Sequence, residues 1–86
     1  MLRGRRRASG VTGVTFVTRA GCSMCAAAQP VVERLAARAG VPLTVLDVDA
    51  DPGLAEHSDH VPVVLIDGSV HSRWWVDEAA LRKALG

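Results

Sequence analysis

The 86-residue chain is poor in aromatic side chains, with one Phe, two Trp and no Tyr. Its core must therefore be built from Val, Leu and Ala. A chain this short buries only about 60–65% of its unfolded surface, so the expectation is one domain with shallow grooves rather than deep cavities. No apolar run approaches the roughly 18 residues of a membrane-spanning helix. The stretch from Val11 to Thr18 is too interrupted by Gly and Thr to form the apolar centre of a secretion signal. A strong charge of one sign is also missing, since ten basic residues face nine acidic ones. Four of the basic residues, Arg3, Arg5, Arg6 and Arg7, fall within the first ten positions, which leaves the rest of the chain mildly acidic. Basic residues spread over a folded face with aromatics to stack bases are absent, which argues against a nucleic-acid surface. Residues 1–10 are expected to form a flexible basic arm and residues 11–86 a single domain. The expected state is a cytoplasmic monomer without membrane contact.

Against these absences stand clear alternations of strand and helix signals. Val14-Thr-Phe-Val-Thr18 is short and β-branched, hence a first strand. From Ala26 to Ala39 the apolar residues Ala28, Val31, Val32, Leu35, Ala36 and Ala39 recur at helical spacing. Gly40 supplies the C-terminal stop, and Pro30 predicts a bend. Leu43 to Val48 is apolar on both faces, which predicts a strand buried in a parallel sheet. Asp51-Pro52 opens a short helix running to about His57. Val63–Ile66 is a third strand, Asp67-Gly68 a hairpin turn, and Val70–Val76 a fourth strand. Trp74 and Trp75, adjacent on that strand, should face opposite sides of the sheet, one of them in the core. Asp77 caps a last helix, with Val76 and Leu81 placed as a hydrophobic staple. The order β-α-β-α-β-β-α, with a right-handed parallel β-α-β half and an antiparallel hairpin, gives an α/β fold with a four-stranded mixed sheet.

The chain has only two cysteines, Cys22 and Cys25, and both fall between the first strand and the first helix. In a cytoplasmic protein a lone pair points to catalysis or metal binding rather than to a structural cross-link. At a helix N-terminus, unsatisfied backbone N–H groups stabilise an anion and lower a thiol from about 8.5 into a range of about 3.5–7.5. Cys22 is placed to be such a thiolate, Arg19 adds a cation nearby, and Cys25 lies one turn on. Zinc would need four ligands, and His57, His60 and His71 lack the paired spacing of such a site. Asp47, Asp49, Asp51 and Asp59 read as a solvated acidic face at a strand end, and His60 as a solvated loop residue. Val61-Pro62 opens the third strand, where proline cannot donate to a ladder. A cis bond there would aim the Val61 backbone at the cysteines for an extended substrate, whereas a trans proline would simply start an edge strand.

Together, Val14-Thr-Phe-Val-Thr-Arg-Ala-Gly-Cys-Ser-Met-Cys25, Leu46-Asp-Val-Asp-Ala-Asp51 and His60-Val-Pro-Val-Val-Leu-Ile-Asp-Gly68 resemble the glutaredoxin-like branch of the thioredoxin superfamily over about residues 12–85. The resemblance implies the thioredoxin fold, a cis Pro62, Cys22 as nucleophile and Cys25 as resolving thiol. It implies a thiol–disulfide oxidoreductase that reduces protein or mixed disulfides. Arg19 matches a position where a basic residue meets a carboxylate of the thiol substrate. The chain carries Ser23-Met24 where glutaredoxins carry Pro-Tyr. Where they carry a Gly-Gly pair and an Asp for the γ-glutamyl end of glutathione, only Asp77 stands in. Arg19, Ser23, Met24, Val61, Pro62 and Asp77 are the expected substrate contacts. No bound cofactor is expected, and the electron donor would be glutathione, mycothiol or a reductase. The competing expectation is an iron–sulfur cluster carrier or a non-catalytic binding module on the same fold.

Overall fold

The computed structural model describes residues 10–86, so the basic arm expected over residues 1–10 lies outside it except for Gly10. Strand β1 (Val14–Thr18) leads into helix α1 (Ser23–Ala39) and strand β2 (Leu43–Asp47). A 3-10 turn (Pro52–His57), strands β3 (Val63–Ile66) and β4 (Ser69–Arg73), and helix α2 (Glu78–Leu85) complete the domain. The sheet order is β2-β1-β3-β4, with β1 and β2 parallel and the other two pairings antiparallel. This is the mixed sheet that the element order predicts. The short helix expected after Asp51 proves to be 3-10, begun by Asp51 accepting the Gly53 N–H and by Pro52 in the first turn.

Alternation along β1 divides the core into two layers. Val14 and Phe16 face α1 and α2, joining Val32, Leu35, Val64, Leu81 and Leu85. Val17 faces the other way, with Val48 and Val63, and Leu54 of the 3-10 turn covers them. Phe16, the only Phe, is fully buried, and burial of such a side chain stabilises by about 1.5–3 kcal/mol. Helix α1 buries the predicted stripe, continues through Pro30, and stops at Gly40, whose left-handed backbone (φ 71°) lets its N–H bond back to Ala36 and Ala37. Asp77 caps α2 by accepting the Ala80 N–H, and Val76 packs against the cluster that holds Leu81, as the staple requires.

Two expectations are corrected. Strand β2 is an edge strand rather than a buried one, with Val45 40% exposed, because β1 takes the central position and the brief 3-10 turn leaves that edge uncovered. Strand β4 ends at Arg73, so Trp74 and Trp75 do not alternate across the sheet and neither enters the core; they are 53% and 61% exposed. Trp74 has left-handed backbone (φ 68°), held there as its main-chain N–H donates to His60 O at 2.8 Å and its indole N–H to Asp59 O at 3.0 Å. The chain is thereby turned out of the ladder before α2.

The β3–β4 turn is fastened to the start of β1. Asp67, itself at φ 51°, accepts hydrogen bonds from the Thr12 N–H, the Thr12 hydroxyl and the Gly13 N–H at 2.7–3.2 Å. Asp67→Ala removes this acceptor and puts Ala into a conformation that Asp tolerates better. We expect a loss of about 1–2 kcal/mol in urea unfolding, with Asp67→Asn losing less; equal stability of Asp67→Ala and wild type would contradict the assignment.

Candidate functional site

Three loops meet at one end of the sheet. Strand β1 leaves there toward Cys22, and the parallel pairing Thr18↔Asp47 brings the end of β2 alongside. The antiparallel pairing Val17↔Val63 makes β3 start at the same end, so Val61 and Pro62 enter beside Thr18. The Val61–Pro62 bond is cis, as the resemblance implied. Gly21 makes the connecting turn with positive φ (78°), a conformation that a residue with a Cβ rarely takes.

Cys22 is the N-cap of α1. Its backbone is extended (φ −88°, ψ 108°), its N–H donates to Arg19 O at 3.2 Å, and its Sγ accepts the Cys25 N–H at 3.1 Å. The sulfur thus does the work of a capping oxygen at a helix end whose N–H groups have no intrahelical partner. Hydrogen bonding from the Cys25 thiol is the largest influence holding Cys22 below the ordinary thiol range; the backbone N–H groups of Cys25 and Met24 add to it, and the Arg19 charge contributes less. Cys25 is 1% exposed, and burial pushes its thiol up, with the hydrogen bond to Cys22 adding to that. Two identical side chains, both free, are driven apart by their surroundings: the partly exposed one downward, the buried one upward.

The remaining predicted site residues divide into three places. Arg19 lines the same recess as Cys22 and Ser23, with Asp47 on its wall, a volume of about 570 Å³. Met24, 53% exposed, points into a separate apolar groove of about 280 Å³ with Val31, Trp75 and Val76. Asp77 lies with His71, Ser72 and Arg73 on a third recess and spends one carboxylate oxygen on the α2 cap. The buried Nδ1 of His71 and Oγ of Ser72 have no hydrogen-bond partner among the described residues. His60, expected in solvent, is half-buried and meets the Trp74 ring edge-on at a centroid distance of 5.1 Å.

Asp49 and Ser58 also belong to the site, although neither carries a local sequence signal for it. Asp49 holds Arg19 through two bonds of 2.9 Å, and Ser58 accepts from the same guanidinium through its carbonyl and its hydroxyl. The parallel β1–β2 pairing is the signal for Asp49, since it brings the residues just beyond Thr18 and Asp47 side by side. Among the described residues no group of three or more His, Cys, Asp or Glu side chains is arranged to hold a metal ion. No helix among them is long and apolar enough to cross a membrane.

A Cys-x-x-Cys pair at the start of the helix after β1, a cis-proline opening β3, and this sheet order define a thioredoxin-fold protein. Thioredoxin 1 of Thermosipho africanus superposes with a TM-score of 0.63 at 19% identity, over 86% of this chain and 94% of that one. The oxidised thioredoxin of Plasmodium falciparum gives 0.55 at 18% identity, over 86% and 79%. At these identities the likeness is one of fold. Within that fold the chain belongs to the glutaredoxin-like domain (DUF836) family, whose profile matches residues 13–86. An uncharacterised protein of Mycobacterium tuberculosis and one of Mycobacterium bovis are each 43% identical to it over 75 residues, 80% of this chain and 77% of theirs.

Because thiolate is the reactive form, a lowered Cys22 shifts its reaction to lower pH. The rate of alkylation against pH should reach half its maximum below the ~8.5 of a free thiol, with Cys25 reacting far more slowly. A midpoint at or above that value would remove the case for an activated Cys22.

Proposed function

We propose that this protein is a thiol–disulfide oxidoreductase reducing protein or mixed disulfides through Cys22 and Cys25. The observation that carries the proposal is the asymmetric pair: a partly exposed Cys22 whose sulfur caps α1 and a buried Cys25 one turn behind it. Such an arrangement supplies an attacking thiolate toward solvent and a second thiol close enough to displace what it captures.

The Cys22 thiolate attacks one sulfur of the substrate disulfide, forms a mixed disulfide and expels the other sulfur as thiolate. Cys25 then attacks the Cys22 sulfur, its proton passing to the departing thiolate. Once the first sulfur expelled has taken a proton from solvent, the substrate leaves with two thiols and the protein holds a Cys22–Cys25 disulfide. Two electrons, from two molecules of a small thiol such as glutathione or mycothiol or from a reductase, restore the dithiol. In this reading Val61 and Pro62, which enter β3 at the same end of the sheet, would receive a substrate strand, with Ser23 beside Cys22 in its recess and Met24 in the neighbouring groove as further contacts. The Gly-Gly pair of glutathione-binding relatives is absent from residues 72–77, which favours the dithiol route over one that passes through a glutathione adduct alone.

Cys22→Ser should abolish reduction of a protein disulfide. Cys25→Ser should stop at the mixed disulfide and accumulate a covalent adduct visible by mass spectrometry. Full turnover by Cys25→Ser on a protein disulfide would exclude a resolving role for Cys25, and activity in both single variants would exclude the pair.

A further inference from the structure

Arg19 is three residues from Cys22 and 33% exposed, yet its guanidinium is largely engaged within the protein. Nε and Nη2 grip the two carboxylate oxygens of Asp49 at 2.9 Å each; Nη2 also donates to Ser58 Oγ at 2.8 Å and Nη1 to Ser58 O at 3.0 Å. Four of the five N–H donors of an arginine are thereby committed, in a forked geometry that a lysine cannot reproduce. The carbonyl of Arg19 meanwhile accepts the Cys22 N–H. One residue thus ties together the turn carrying Cys22, the segment after β2 and the segment leading to Pro62.

That last segment is fixed from its other side as well. Trp74 donates from its main chain to His60 O and from its indole to Asp59 O, and its ring meets His60 edge-on. Residues 58–60 are therefore held between Arg19 and Trp74, immediately before Val61 and Pro62. The left-handed backbone of Trp74 is unfavourable for a residue with a Cβ and persists where surrounding contacts determine it.

We infer that Arg19, Asp49 and Ser58 form a brace that holds the Pro62 segment in register with the Cys22 turn, making Arg19 and Asp49 positioning residues rather than contacts for a substrate carboxylate. The inference deepens the oxidoreductase reading of the same site and, for its effect on turnover, rests on it. Bracing and charge separate cleanly. The charged and titratable groups around Cys22 are Arg19 on its own turn, Cys25 on α1 and Asp47 on β2, while Asp49 and Asp59 act on Arg19. Removing the cation should raise the pH at which Cys22 reacts; removing Asp49 leaves the cation uncompensated and should lower it. Either change breaks the brace.

The test uses the full chain with Arg19→Gln, Arg19→Lys, Asp49→Asn and the Arg19→Gln/Asp49→Asn pair. Cys22 alkylation is measured against pH, and reduction of insulin disulfides and of glutathione disulfide against substrate concentration. We expect Arg19→Gln and Asp49→Asn to shift the alkylation midpoint in opposite directions. Both should nevertheless lower kcat/KM on both substrates by about tenfold, within the ~100-fold that a misplacement of about 1 Å can cost. Arg19→Lys should not rescue turnover, and the double variant should be little worse than either single one. A gain by Asp49→Asn on glutathione disulfide, which carries carboxylates, would overturn the brace and return Arg19 to substrate binding. Should the wild type reduce neither substrate, the oxidoreductase reading fails, and amide hydrogen exchange decides the brace alone. Exchange in Asp49→Asn should then quicken several-fold at residues 20–25 and 58–62 together, with the α1–α2 core unchanged; unaltered exchange there, or a uniform rise across the chain, would refute it.

Discussion

At the start of α1 a sulfur accepts the hydrogen bond that a Ser or Asp oxygen usually takes. This one contact joins local structure to chemistry. Helix ends leave N–H groups unpaired, and an acceptor that becomes more negative satisfies them better. The cap is therefore most favourable when Cys22 is a thiolate, so helix formation and thiol activation draw on the same hydrogen bonds. The preceding turn exists to set this up. Gly21 takes the left-handed conformation that reverses the chain, and the Arg19 carbonyl fixes the Cys22 N–H so that its side chain faces the helix end.

The same helix start explains why the two cysteines differ. They lie three positions apart, almost one turn, so while Cys22 stays at the rim Cys25 is carried inward against Thr18 and the core. Burial then favours its neutral form, and a neutral Cys25 can donate its S–H to the Cys22 sulfur. Each thiol thus reinforces the state of the other. Two side chains of identical covalent structure are thus driven in opposite directions, Cys22 down by hydrogen bonding and Cys25 up by burial.

Much of this arrangement was legible in the chain because it depends on local rules. The β-branched Val14–Thr18, the stripe from Ala28 to Ala39, Gly40 as stop and Asp77 as cap each declare their element without reference to the rest. So did the position of Cys22 between strand and helix. The failures share another cause. Leu43–Val48 looks buried by composition, but whether an apolar strand lies at the centre or the edge is decided by strand order, which composition does not encode. Trp74 and Trp75 continue the β-like run in type, yet the strand stops at Arg73 because His60 and Asp59, 14 and 15 residues earlier, capture the N–H groups of Trp74. Likewise Arg19 announces a cation near Cys22, but only the parallel β1–β2 pairing reveals that Asp49 holds it.

That last point bears on how the thiolate is stabilised. Arg19 sits at an acidic end of the molecule, with Asp47, Asp49 and Asp59 all close enough to act on it, and its bond to Asp49 is the strongest of these influences. Its positive charge is correspondingly offset, and among the causes that lower Cys22 it ranks below the hydrogen bonds from Cys25 and Met24. An exposed charge acting across solvent would be weakened further by salt, whereas hydrogen bonds made at contact are screened much less. Activation of Cys22 thus belongs mainly to the geometry of the helix start, with the Arg19 charge a lesser influence. Arg19 is left free to serve as structure, linking the turn that presents the sulfur to the segment that would present a substrate to it.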